Sequence, residues 1–320
     1  MSEARLSLVE LEMRGDFVRR HIGPGDDQIA EMLETLELPS LDALIEKTVP
    51  KAIVSKEPLK LADPMSERRA LSYLRRMAGR NRVFVSMIGM GYHGTVPPSV
   101  ILRNVIENPA WYTAYTPYQA EVSQGRLEAL LVFQQMIVDL TAMDISNASL
   151  LDEATAAAEA MAMSHRLSKK SSETYFVARD CHPQTIAVVE TRARALGFEV
   201  VVGDPLADLD DHDVFGVLVQ YPGTNGDVRD LRPITAKAHG QNALVTVAAD
   251  ILGLVLLTPP GEMDADIVVG STQRFGVPMG YGGPHAAYLA TRDKFRRQMP
   301  GRVIGVSVDA QGRPALRMAM

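Results

Sequence analysis

The sequence predicts an α/β fold with a mostly parallel central sheet, and two features of its second half carry that expectation. Short runs rich in β-branched residues recur at Thr174 to Ala178, Glu199 to Val202, Phe215 to Gln220, Leu244 to Ala248 and Asp266 to Val269. Segments of helical character, such as Pro183 to Leu196 and Pro233 to His239, lie between several of them. Strands alternating with helices argue for a sheet covered on both faces, because parallel neighbours need crossover connections.

Taken in order, residues 1–65 read as a helical arm. A Gly23-Pro24-Gly25-Asp26 turn precedes Ile29, Met32 and Leu33 at helical spacing, with Asp26 as the expected cap. Pro39-Ser40 opens a second short helix that Pro50 ends. A large domain is expected over 66–300. Ser66 starts a basic helix that stops near Gly79, and a glycine-rich loop, Met90-Gly-Tyr-His-Gly-Thr95, leads to Pro97-Pro98. Proline suits the first helical turn, where its missing donor costs little. Leu127, Leu130, Leu131, Phe133, Ile137 and Leu140 form one face of a long helix, for which Ser123 is the expected cap. Ser149-Leu-Leu-Asp152 reads as a capping box opening an alanine-rich helix through Met163. Residues 301–320 read as the start of a further small domain.

Composition bounds the function. Apolar residues make up 46% and charged residues 22% of 320, the profile of a folded chain. A net charge of -6 gives no long-range attraction to nucleic acid or to anionic lipid. No apolar stretch reaches the roughly 18 residues needed to cross a bilayer. Cys181 is the single cysteine, which suits a reducing compartment and the cytoplasm as the simplest address. It reads as a small buried hydrophobe.

Two stretches are distinctive. One is Asn108-Pro-Ala-Trp-Tyr-Thr-Ala-Tyr-Thr-Pro-Tyr-Gln-Ala-Glu-Val-Ser-Gln-Gly-Arg-Leu-Glu128, followed by Asn147 to Ala160. The other is Gly270-Ser-Thr-Gln-Arg-Phe-Gly-Val-Pro-Met-Gly-Tyr-Gly-Gly-Pro-His285. With Arg20-His-Ile-Gly-Pro24, they make the chain resemble the amino-terminal half of the P-protein family of the glycine cleavage system, over essentially its whole length. The resemblance implies an aminotransferase-like large domain, the type I fold of pyridoxal-phosphate enzymes. It implies decarboxylation of glycine and transfer of the aminomethyl group to the lipoyl arm of H-protein, with the cofactor as electron sink. It also implies a second half that carries the cofactor lysine and a small domain beyond Met320, so that this chain is part of a larger enzyme and inactive alone.

The residues agree with that division. A cofactor lysine would follow the strand at Asp266 to Val269 and precede the turn Gly280 to Gly283, yet Gln273 or Arg274 stands there, depending on the direction of counting. An amide is not nucleophilic and a guanidinium stays protonated, so neither forms an imine. Lys237 and Lys294 read as solvated residues. Asp152 and Glu153 begin the alanine-rich helix, where a phosphate would otherwise find free donors, and read as capping residues. Asp250, which could face a pyridinium nitrogen, and His182, which could stack on a ring, read as relics of a cofactor site. No metal site is expected.

Candidates for walling the other half's pocket are Tyr112, Tyr115, Tyr118, Gln119 and Glu121, with Tyr92 and His93 from the glycine-rich loop. Clustered tyrosines with few charges have an interface-like composition. The alternative is a purely structural or regulatory partner that touches no substrate.

Overall fold

The computed structural model describes residues 7–11, 16–55, 57–280 and 283–319. It divides into two compact units, Met1–Val85 and Ser86–Met320. The first holds helices α1 (Leu8–Leu11), α2 (Asp16–His21), α3 (Asp26–Thr35), α4 (Leu41–Thr48) and α5 (Glu67–Ala78). Ser40 caps α4, accepting from Ala43 N at 3.1 Å. At α3 the cap position falls to Gly25, whose N–H donates to Gln28 Oε1 at 3.0 Å. Asp26 is instead the first helical residue, where its charge still meets the positive end of the helix dipole. No described residue of this unit joins a core cluster.

The second unit begins with the glycine-rich loop and α6 (Ser99–Ile101), which starts behind Pro97-Pro98 and runs on as a π-helical turn. Then come α7 (Gln124–Thr141), β1 (Ile145–Ser146), α8 (Glu153–Leu167), β2 (Thr174–Ala178), α9 (Pro183–Leu196), β3 (Glu199–Gly203) and β4 (Gly216–Tyr221). The chain continues through α10 (Arg232–Gly240), β5 (Leu244–Ala249), β6 (Ile267–Ser271), β7 (Ala287–Thr291), β8 (Val303–Val308) and β9 (Pro314–Ala319).

Seven strands form one sheet in the order β1-β7-β6-β5-β4-β2-β3. The five strands from β2 to β6 are parallel, as their sequences predict, and β7 and β1 close one side with antiparallel pairing. Every residue of β4 is buried, as expected where helices cover both faces. The alanine-rich α8 lies over the middle of the sheet against β4, β5, β6 and β7, with α9 beside it. Its small side chains permit that approach: Ala156, Ala157, Ala158 and Ala160 are at most 1% exposed. On β6, a Cβ added at Gly270 would lie 2.2 Å from Ala249 O, so only glycine admits the Tyr288 hydroxyl, which donates to that oxygen at 2.9 Å.

Three local expectations need correction. The cap of α8 is Asp152, which accepts from Thr155 N at 2.8 Å, and the helix runs on to Leu167. Ser149 cannot start it, because Leu150 is held to Ala287 by a β-bridge with N–H···O distances of 2.8 and 2.9 Å. Ser123 stands at the cap position of α7, but its hydroxyl accepts from Arg126 rather than from the backbone. Lys237 is not solvated: its side chain is 18% exposed, donates to Leu206 O at 2.6 Å and pairs with Asp210 at 3.1 Å.

The β8–β9 hairpin rests on α7 through two glutamines. Buried Gln134 accepts from Ile304 N at 2.7 Å and donates to Ile304 O at 3.1 Å. Exposed Gln124 repeats the arrangement on Leu316, at 2.9 Å in both directions.

Candidate ligand cavity

Strand order reverses at β2, with β3 on one side and β4 on the other. Open α/β sheets bind ligands beyond the carboxyl ends of their strands near such a reversal. A cavity of about 510 Å³ lies there. Its wall includes His182 after β2, Gln184 and Thr185 from α9, Asp152 and Glu153 from the start of α8, Ser271 and Gln273 at the end of β6, and Gly91 and Tyr92 from the glycine-rich loop.

Glu153 is the acidic centre of this wall. Its carboxylate accepts from Gln220 Nε2 at 3.3 Å and from Thr185 Oγ1 at 3.4 Å. Burial raises its pKa to about 7, partly opposed by these hydrogen bonds, and the negative charge of Asp250 adds to the rise. A carboxyl at a helix start is ordinarily ionised, so enclosure outweighs the helix dipole here. His182 is shifted the other way. Burial, and then the charge of His93, lowers its pKa to about 4, so the ring is neutral at pH 7, with Nδ1 2.9 Å from Thr224 Oγ1. Gly91, at φ +81°, packs on that ring, and a Cβ there would sit 3.1 Å from His182 Cδ2. Gln184 fastens the same loop by donating to Met90 O at 2.7 Å.

The two residues expected where a cofactor lysine would stand diverge. Gln273 faces the cavity and donates to Pro284 O at 3.1 Å. Arg274 turns to Asp250, with Nε 3.2 Å from Oδ1. A guanidinium thus pairs with the aspartate that directly follows β5. None of the described residues of the wall is a lysine. Tyr281 and Gly282, within the turn used to place that expectation, lie outside the described residues. Lys294 stacks over the Phe295 ring at 4.6 Å, away from the cavity wall.

Of the tyrosine-rich candidates, only Tyr92 lines this cavity. His93 is half-buried and acts on His182 through its charge. Tyr112, Tyr115 and Tyr118 are 61%, 77% and 62% exposed, and Gln119 and Glu121 are exposed beside them. Arg126 holds the segment by donating to Tyr115 O at 2.9 Å, and the Arg302 guanidinium covers the Tyr118 ring at 4.9 Å. Sequence reasoning missed Gln184, Thr185, Gln220 and Ser271. The first two lie just after His182, already singled out, which was the available signal.

The reversed strand order, the aspartate following β5 and the helix start beneath the cavity define the large-domain fold of pyridoxal-phosphate enzymes. The chain belongs to the glycine cleavage system P-protein family, whose model matches residues 19–320. It is 60% identical over 314 residues to glycine dehydrogenase (decarboxylating) of Stutzerimonas stutzeri, covering 98% of this chain and 33% of that protein. It is 61% identical to the enzyme of the same name from Saccharophagus degradans, covering 98% and 33%. The chain therefore spans about a third of the length of the curated relatives it matches. A crystal structure of glycine decarboxylase (P-protein) of the glycine cleavage system, in inhibitor-bound form, superposes with a TM-score of 0.83 at 36% identity, covering 94% of this chain and 69% of that one.

Proposed function

We propose that this chain is the amino-terminal, non-lysine part of a glycine dehydrogenase (decarboxylating). The observation that carries the reading is 60% identity to such enzymes over 98% of the chain. Glycine is then the substrate and the lipoyl arm of H-protein the acceptor. Pyridoxal phosphate supplies the electron sink for the carbanion left by decarboxylation. The division of labour rests on the cavity. Gln273 in place of an amine, Glu153 at the helix start and Arg274 on Asp250 do not fit that cofactor. Its seat belongs to the remainder of the enzyme. The exposed segment from Tyr112 to Glu121 walls that other pocket, and the reducing cytoplasm suits the buried Cys181 thiol.

Borohydride reduction of the complete holoenzyme, followed by peptide mapping, tests the reading. The cofactor adduct is expected on a lysine outside these 320 residues. An adduct on this chain overturns it. Glycine–bicarbonate exchange by the same preparation tests the activity.

A further inference from the structure

The disagreement between this cavity and pyridoxal phosphate goes further than the missing amine. Restoring an amine at Gln273 would still leave the anion seat obstructed. In this fold a phosphate would sit at the start of α8, where free N–H groups and the helix dipole attract negative charge. Two carboxyl groups hold that start. Asp152 takes the N–H of Thr155 at 2.8 Å and its hydroxyl at 2.8 Å. Glu153 points the other way, into the cavity wall, on Gln220 and Thr185. Nearby charges offer an incoming anion no relief. The Arg274 cation is matched by Asp250, and His182 is held by Thr224. The polar groups left facing the space include Gln273, Tyr92 and the His285 ring, whose Nδ1 is engaged by Gly283 O at 2.9 Å.

We propose that Glu153 is a charge filter: the cavity accommodates a small uncharged aromatic ring but rejects the same ring bearing a phosphate. The idea rests on the reading that the cofactor is seated elsewhere in the enzyme, and it names the residue that keeps a second copy out of this half. At neutral pH and above the carboxylate is increasingly ionised, and it repels a phosphate seated against it at a few ångströms, well inside the roughly 8 Å over which salt screens charge.

Pyridoxine and its 5′-phosphate test this, because neither carries the aldehyde and neither can react. The complete holoenzyme is first reduced with borohydride, which fixes its own cofactor in place, and both ligands are then titrated by equilibrium dialysis at pH 8. The unaltered protein is expected to bind pyridoxine at least tenfold more tightly than the phosphate ester. In E153Q the phosphate ester should gain at least tenfold while pyridoxine changes less than twofold, and E153S should behave likewise. Unchanged pyridoxine binding shows that each variant keeps its cavity. A phosphate ester bound equally by all three proteins, or by none of them, overturns the filter. Adduct mapping on the reduced protein separates that failure from failure of the functional reading, since the peptide map is indifferent to Glu153.

Discussion

Glu153 and His182 stand on one cavity wall with opposite dependences on pH. The carboxyl of Glu153 is raised from 4.5 to about 7, so the folded chain holds its proton more tightly than the unfolded chain. The stability this gives is full below pH 4.5 and is lost as pH rises through 7. His182 is lowered from 6.5 to about 4, so its contribution is full above 6.5 and is lost as pH falls towards 4. The two slopes oppose each other over the range they share, and the native chain should show a shallow profile. Single variants expose each slope. Relative to native, E153Q should gain about 2 kcal/mol between pH 5 and pH 8. H182Q should gain about 2 kcal/mol between pH 7 and pH 4. Urea unfolding at the four pH values measures both, and parallel native and variant profiles would contradict the assignment.

Among the elements, the glutamine contacts between α7 and the β8–β9 hairpin make a graded prediction. Ile304 is 2% exposed, so Q134A strands a buried N–H and a buried C=O and should cost about 2–4 kcal/mol. Q124A should cost under about 1 kcal/mol, because water reaches its exposed site. Thermal or urea denaturation ranks the two, and equal losses would refute the argument from burial. The parallel strands were legible in the sequence because burial on both faces leaves apolar runs such as Phe215 to Gln220. The hairpin was not. Its strands are half exposed, with Gly305 and Arg317 interrupting the pattern, and its pairing depends on a helix 170 residues away for Ile304. Strand β1 has only two residues and exists through its partner β7. The start of α8 was misplaced because the bridge from Leu150 to Ala287 is a long-range contact that no local pattern reveals.

At the scale of the whole molecule, the candidate site was half legible. The lack of an amine near Gln273 and the carboxyls at the start of α8 could be read directly, since they are identities at positions. The enclosure of Glu153 could not, because it comes from Gln220 on β4 and Thr185 on α9, which only the fold brings together. The exposed tyrosines make the prediction that belongs to this scale. Y115F and Y118F together should lower glycine–bicarbonate exchange by the complete enzyme at least tenfold, with assembly unchanged by size-exclusion chromatography. Unaltered exchange in a properly assembled enzyme would leave this face a purely structural role.

The paired amides of Gln124 and Gln134 have a wider consequence. A side-chain amide presents the same donor and acceptor as a peptide unit, so each glutamine occupies a stretch of strand margin that a foreign chain could otherwise zip onto. The two-stranded ribbon at residues 303–319 is thus covered at Ile304 and Leu316, one position on each strand, by a helix that lies earlier in the chain.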